Sequence, residues 1–382
     1  MFLTRVQLSG VRRFRSEQWL PAPGLNFISG GNGAGKTTLL EAVHLLAYGR
    51  SFRGRVRDGL VRTGAEAVEV FAEWHERQGP RTRKVGLRHS GSEWQGRLDG
   101  QSVSHLGELC AALAVVTFEP GSHALVTGGG EPRRRLVDWG LFHVEPDFLP
   151  VWRRYARALK QRNQLLKARV RDAQLDAWDH ELSEAGEPLT RYRQRYLDQL
   201  APEVQVATAD LVPALGAAEL TFSPGWNREG VSLADALLLA RDRDLAYGYT
   251  SVGPHRADWR IGFAALPGRE ALSRGQAKLT ALSLLLAQAS MHAARCGEWP
   301  VVALDDLASE LDRSHQTRVL GRLLASGAQV LITGTEAPAA LETLSADVEM
   351  FHVEPVGPNE SALQAVPAGR NAPLRPDSAT TP

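Results

Sequence analysis

The sequence predicts an α/β fold, a P-loop nucleotide-binding head with a mixed sheet flanked by helices, into which an α-helical arm is inserted. Three observations predict it. Gly30-Gly31-Asn32-Gly33-Ala34-Gly35-Lys36-Thr37 satisfies the pattern G-x-x-x-x-G-K-S/T, between an apolar run at 25–29 and residues Leu39, Leu40, Val43, Leu46 and Ala47 at helical spacing. Far downstream, Val301-Val302-Ala303-Leu304 reads as a buried strand that ends in two acids, Asp305 and Asp306. Between them, Leu175, Trp178, Leu182, Ala185, Leu189, Tyr192 and Tyr196 alternate steps of three and four, the seam of a helical hairpin.

Composition sets the frame. A chain of 382 residues, 43% of them hydrophobic, is long enough for two or three domain-sized units. The longest apolar run, 282–287, is interrupted by Gln288 and Ser290 and is too short to span a bilayer. Residues 1–9 alternate like a strand and carry no basic-then-apolar signal pattern. Cys110 and Cys296 lie far apart without metal-ligand spacing, which argues against a zinc site or a disulfide framework and for the cytoplasm. The net charge of +1 decides nothing about nucleic acid, because local patches matter more than the total.

In chain order, Phe2, Leu3, Val6 and Leu8 and then 14–20 read as an antiparallel pair leading into the P-loop strand. The P-loop helix should end at Gly49, a residue suited to a C-cap. An Arg-rich loop at 49–57 precedes strands at 67–74, 81–89 and 94–98, the first two joined by a polar turn at 76–80, and a buried strand at 114–118. From about Arg133 to Pro202 the chain is helical and charged. Trp152, Tyr155, Leu159, Leu166 and Val170 make a stripe that should pack on the Leu175–Tyr196 seam across a polar turn near Asp172. Gly186 and Pro188 should break or kink the second of these helices. Strand 219–226, helix 233–246, strand 257–263, helix 276–290, strand 301–304, helix 315–324 and strand 329–333 follow, and the residues after Gln364 read as disordered. The division expected is 1–132 and 216–355 for the two parts of the head, 133–215 for the arm and 356–382 for a tail.

The P-loop implies a nucleoside triphosphate. Backbone N–H groups of residues 30–38, through Thr38, would surround phosphate oxygens at the positive end of the new helix. Lys36 would reach the β- and γ-phosphates and Thr37 would ligate Mg²⁺. Asp305 is the second metal-side candidate and Asp306 the base that orients water, so Lys36 and Asp306 are the catalytic pair. Leu272-Ser273-Arg274-Gly275-Gln276 opens a strongly apolar helix, where Ser273 is equally well an ordinary N-cap or part of a second anion site.

A second chemistry is written in charge. Between Asp147 and Asp172 there is no acid, and Arg153, Arg157, Lys160, Lys167 and Arg171 fall on one helical stripe suited to tracking phosphates. The competing reading is a solvated face balanced by Asp176, Glu181 and Glu184. The arginines of 50–57 are a second DNA candidate, or else a loop facing the nucleotide or a dimer partner. No base-reading motif is present, so binding should be backbone-directed and salt-sensitive.

Taken together, the P-loop, the Ser273–Gln276 signature, the Asp305-Asp306 strand and Ser309-Glu310-Leu311-Asp312 resemble the ATP-binding-cassette ATPases. That resemblance implies an ATP-gated homodimer in which Ser273, Arg274, Gly275 and Gln276 of one copy contact the ATP of the other, with Ser309 and Asp312 in the D-loop. More than two hundred residues separate P-loop and signature, and Ile332-Thr333-Gly334-Thr335 has no histidine where transporters carry a switch-loop one. Both features favour a DNA-repair branch over a transporter subunit, and the arm is too short for the long coiled coil of a chromosome-organising SMC protein.

Closer still, the chain resembles the RecF family of bacterial recombination mediators. The resemblance rests on Gly49-Arg50-Ser51-Phe52-Arg53, the block from Glu131 to Trp139, Lys160-Gln161-Arg162-Asn163, Val252-Gly253-Pro254-His255-Arg256, 272–278 and 305–312. The chain departs from the family pattern at Phe118-Glu119-Pro120, in place of Pro-Glu, and has no glutamine that fits a Q-loop. The resemblance implies an ATP- and Mg²⁺-dependent protein of DNA replication and recombinational gap repair. It would bind single-strand/double-strand junctions as well as double- and single-stranded DNA. It would act with RecR and RecO to load RecA, support the SOS response, involve no membrane, and hydrolyse ATP weakly to reset the DNA-bound dimer.

Overall fold

The computed structural model describes residues 1–56, 59–76, 82–266, 272–345 and 347–366. β1 (Phe2–Val11) and β2 (Phe14–Trp19) form the expected antiparallel pair, turning at Arg12 with φ 48°. β3 (Leu25–Gly30) enters the P-loop and α1 (Lys36–Tyr48) leaves it, closed by Gly49, whose N–H donates to the Leu45 carbonyl at 2.8 Å. Next come β4 (Val68–His75), β5 (Thr82–His89), β6 (Trp94–Leu98), β7 (Gln101–Val103), α2 (Leu106–Ala112), β8 (Val115–Phe118) and the short α3 (Ala124–Thr127). The helical region consists of α4 (Gly130–Val144), α5 (Phe148–Lys167) and α6 (Ala173–Leu211). β9 (Ala218–Ser223), α7 (Leu233–Tyr247), β10 (Asp258–Phe263), α8 (Arg274–Cys296), β11 (Val301–Leu304) and α9 (Leu307–Glu310) follow. The described chain ends with α10 (Arg313–Ser326), β12 (Val330–Thr333), α11 (Ala339–Thr343), β13 (Val348–Gly357) and β14 (Glu360–Val366).

Two six-stranded sheets make the head. One, in the order β2-β1-β4-β5-β6-β7, is antiparallel throughout. The other, β14-β13-β3-β12-β11-β8, is parallel except for its edge strand β14. Its inner strands β8, β11 and β12 are buried at every residue, as continuous apolar runs covered on both faces should be. α1 lies in the core that both sheets share and is buried from Thr38 to Ala47, which is why its apolar residues surround the axis. In the parallel sheet β12 stands between β3 and β11, so the P-loop and Asp305 emerge at the same C-terminal edge, where such sheets bind ligands.

A second core unites α4 to α8 with the two-stranded β9–β10 sheet. β9, α7 and β10, which the sequence reading gave to the head, therefore pack with the helical lobe. The Tyr155/Leu166 stripe of α5 and the Leu175–Tyr196 seam of α6 do bury each other.

Two expectations need correction. The expected break at Gly186 and Pro188 is absent: α6 runs unbroken for 39 residues through Gly186, Pro188 and Pro202. Gly186 is there for close approach, since a Cβ would lie 2.4 Å from a Leu233 methyl and 3.2 Å from the Tyr155 ring. Pro188 removes one hydrogen bond, to the carbonyl of Glu184, an exposed residue. The second correction is the tail. Residues 356–366 are not part of it: they finish β13 and form β14, and β13 pairs in parallel with β3 beside the P-loop. The rest of the proposed tail, 367–382, and the centre of the polar turn, 77–81, lie outside the described residues.

Candidate nucleotide-binding site

The P-loop backbone is set by glycine. Gly35, with φ 118°, precedes α1 in a conformation that L side chains avoid, and a Cβ there would press on the Phe14 ring at 3.1 Å. Gly31, Asn32 and Gly33 are exposed, Ala34 is buried, and Thr38 is buried with its N–H on the Gly35 carbonyl at 2.9 Å. Lys36 Nζ donates to the carbonyls of Gly30, 2.8 Å, and Gly31, 2.9 Å, so the ammonium sits inside the loop. Partial burial lowers its pKa, and the nearby Asp306 and Asp305 charges oppose that shift.

Asp305 ties the two halves of the head together. Its carboxylate is buried and accepts from Thr37 Oγ1 at 2.8 Å and from Thr333 Oγ1 at 2.6 Å. Burial raises its pKa; the two hydroxyl bonds and the Arg53 charge pull it down, while Asp306 pushes it up. Asp306 follows in left-handed backbone, φ 54°, with its N–H on Thr333 Oγ1 at 3.0 Å. A non-glycine residue held there stores about 1–3 kcal/mol of strain. Thr333 thus positions both acids.

Beside the loop is a cavity of about 630 Å³ lined by Arg12, Arg13, Lys36, Arg53, Arg62 and Asn359 among others. Arg12 is anchored by a bidentate pair with buried Glu41, 2.6 and 2.8 Å, whereas the Arg53 guanidinium has no ion pair among the described residues. The Arg-rich loop therefore divides. Arg53 joins the nucleotide cavity, and Arg50 faces a different cavity walled by Tyr48, Trp94, Trp139 and Trp152. The sequence did not reveal Arg62 or Asn359, because no local pattern marks residues that only the fold brings to the P-loop.

Glu119 also gains a place. It ends β8 beside β11, its carboxylate accepts the Gly121 N–H at 2.6 Å, and burial with Asp305 and Glu310 nearby raises its pKa. The signature is an N-cap in this structure. Ser273 Oγ accepts from Gln276 N, 3.2 Å, and Gln276 Oε1 from Ser273 N, 2.9 Å, a reciprocal capping box. Ser273, Arg274 and Gly275 are exposed, and no hydrogen bond or ion pair among the described residues joins 273–276 to 30–38. Lys278, one turn on, pairs with Glu310 at the end of α9. Ser309 and Asp312 are exposed; Ser309 Oγ donates to the Asp306 carbonyl and Asp312 caps α10 through His315 N.

On α5, Arg157, Lys160 and Lys167 are exposed and carry no ion pair among the described residues. Arg153 pairs with Glu108 at 3.5 Å and Arg171 with Asp242 at 3.3 Å. The balancing acid Glu181 is engaged by Arg154, a residue off the stripe.

The profile described as RecF/RecN/SMC N terminal domain matches residues 2–355. A protein named DNA replication and repair protein RecF from Stenotrophomonas maltophilia (strain R551-3) is 64% identical over 357 residues, covering 93% of this chain and 98% of its own. This chain belongs to the RecF family. The RecF of Shewanella baltica (strain OS155 / ATCC BAA-1091) is 36% identical over 93% of this chain and 98% of its own. Among solved structures, the recombination mediator protein RecF-ATP in the RecFOR pathway superposes with TM-score 0.83 at 25% identity, covering 96% of this chain and 98% of that one. An Smc head bound to the C-winged helix domain of ScpA shares the fold at TM-score 0.59 and 15% identity, covering 97% of this chain and 98% of that one. RecF membership and the SMC-type head replace the transporter and chromosome-organising readings, and no described helix is long and apolar enough to cross a membrane.

Proposed function

We propose that the chain is an ATP-gated DNA clamp of replication and recombinational gap repair. The observation that carries this reading is the Thr37–Asp305–Thr333–Asp306 network, which joins the phosphate loop to two acids while the signature stays exposed elsewhere on the same chain. One chain thus presents two halves of a site, and a second copy supplies Ser273, Arg274, Gly275 and Gln276 to the ATP held on residues 30–38. Thr37 and Asp305 would hold Mg²⁺, since a hydroxyl and a carboxylate converge there as hard oxygen donors. Bound there, the ion supplies charge neutralisation to the β- and γ-phosphates. Lys36 leaves its carbonyl partners for those phosphates, Arg53 adds a second cation, and Asp306 holds the attacking water by accepting its proton. Hydrolysis is weak, depends on DNA, and resets the dimer.

DNA lies along α5, with Arg157, Lys160 and Lys167 on its phosphates. Arg153 and Arg171 contribute once they exchange Glu108 and Asp242 for phosphate. The substrate is gapped DNA with a single-strand/double-strand junction, and single- and double-stranded DNA bind as its parts. In the recombination-mediator pathway the chain works with RecR and RecO in loading RecA, in the cytoplasm, and supports the SOS response.

The test is gapped-duplex binding with ATP, ADP and no nucleotide at two salt concentrations, alongside sedimentation. ATP should raise both DNA affinity and dimer content, Lys36→Met should abolish both effects, and each phosphate contact should add a slope of about −0.9 to log K against log salt. The reading fails if ATP changes neither quantity.

A further inference from the structure

Two sequence blocks that the nucleotide site does not use, 160–163 and 252–256, converge on Thr250 beside α5. Arg162 is fully buried and divided among Asp179 of α6, Asp244 of α7 at 2.7 Å and Thr250 Oγ1 at 2.8 Å. Asn163 Oδ1 accepts from both Thr250 N, 2.8 Å, and Thr250 Oγ1, 2.7 Å. The other Asp244 oxygen takes the Ser251 N–H at 3.0 Å. Tyr155 Oη bonds His255 Nδ1 at 2.7 Å, and His255 Nε2 donates to the Thr250 carbonyl at 2.9 Å. The segment after α7 is thereby fixed by a buried ionic network, an arrangement that stability alone rarely favours over apolar packing.

What this network holds still is aromatic and exposed. Tyr247 and Tyr249 are 61% and 42% accessible, yet their rings stack on each other at 5.6 Å and 18°. The Arg256 guanidinium lies 5.2 Å from the Tyr249 ring centroid. Between the tyrosines, Gly248 abuts the Lys167 stem, so a Cβ there would be 3.4 Å from Lys167 Cγ. Lys167 and Lys160, about 10 Å apart along the helix, carry no ion pair among the described residues. Fixed π-faces beside a phosphate-tracking stripe are the two components that bind single strands without reading sequence.

We propose that Tyr247 and Tyr249 form a stacking platform for an unpaired base, with the neighbouring phosphates on Lys160 and Lys167. This rests on the reading that α5 binds DNA and adds to it a preference for single-stranded segments, because duplex bases already stack on one another. It gives the protein a direct means of recognising the single-stranded side of a gap.

The test uses full-length protein with ATP and three labelled ligands: a gapped duplex, a blunt duplex of equal length, and oligo(dT). Replacing both tyrosines, Tyr247→Ala with Tyr249→Ala, should weaken gapped DNA and oligo(dT) about tenfold, the size of one lost stack, and leave blunt duplex within about twofold. The double Phe variant should restore binding, since phenyl rings stack without the hydroxyls. Lys160→Glu with Lys167→Glu should weaken all three ligands. Unchanged gapped-DNA binding in the Ala pair, or equal loss on blunt duplex with melting temperature and ATP affinity intact, overturns the platform. So does loss of RecR binding with DNA binding unchanged, which would mark a protein-docking site. If the Lys pair changes none of the ligands, the α5 reading itself falls, and with it the platform; a loss confined to the Lys pair removes the platform alone.

Discussion

Thr37 Oγ1 donates to Asp305 Oδ1 across 2.8 Å, closing a gap of 268 positions in the chain. Neither residue reaches the other by local structure. The parallel pairings of β12 with β3 and of β11 with β12 bring the start of α1 beside the end of β11. The hydroxyl of Thr333, on the strand between, completes the link.

That strand offers the first prediction. Thr333→Val keeps the shape but removes the hydroxyl that donates to Asp305 and accepts from Asp306 N. A buried carboxylate and a backbone N–H then each lose a partner, which costs about 1–3 kcal/mol. Urea denaturation should show the loss, and the single-turnover hydrolysis rate should fall more than ATP affinity does. Equal hydrolysis in the variant would mean that Thr333 does not position the acids.

Asp306, proposed above to hold the attacking water, carries a short side chain on a backbone constrained at φ 54°. Asp306→Glu extends the carboxylate by one methylene toward the water it holds. The single-turnover rate should rise severalfold, and a rate no higher than wild type would show that reach does not limit the step.

How the fold was legible follows from where its signals lie. Elements with strong periodicity and a local stop, such as α1 ending at Gly49 or the apolar run of β11, could be read directly. β13 could not, because Glu349, Glu354 and Pro355 interrupt its alternation and its pairing with β3 is a long-range fact. The unbroken course of α6 was hidden for a related reason. Gly186 reads locally as a helix breaker, and only the approach of Leu233 explains it. At the site, residues 30–38 and both acids were visible as motifs, whereas Thr333, Arg62 and Asn359 are joined to them by topology alone.

The signature gives a prediction about assembly. Ser273 is exposed and, among the described residues, its side chain bonds only within the capping box, so a bulky cation there leaves the P-loop untouched. Ser273→Arg should bind ATP with wild-type affinity and lose the cap at a cost of about 1 kcal/mol. In sedimentation it should remain monomeric with ATP under conditions where wild type dimerises. A dimer of wild-type strength would show that the signature lies outside the interface.

Four histidines, His44 and His292 buried and His143 and His255 half-buried, give the stability a pH dependence. Burial pushes His44 and His143 down to about 3 and His255 and His292 down to about 4. Unfolded, each titrates near 6.5, so between about 6.5 and 4 the unfolded chain binds more protons and stability falls as pH falls. Glu17, Glu119 and Asp305 act in the opposite sense, since burial raises their values and lets the folded state take up protons first. Asp258, Glu181 and Asp312, whose values are lowered, lose their contribution only as pH drops through the carboxylate range. The large histidine shifts govern the window between about 6.5 and 4, so the melting temperature should drop between pH 7 and 5. His143 is the clearest reporter, because its Nε2 is buried without a hydrogen-bond partner among the described residues and its ring packs on Trp139 and His292. His143→Phe keeps a planar ring and removes the titration. Calorimetry at pH 7.5, 6.5 and 5.5 should show a shallower fall in the variant, and parallel curves for the two proteins would place the pH dependence elsewhere.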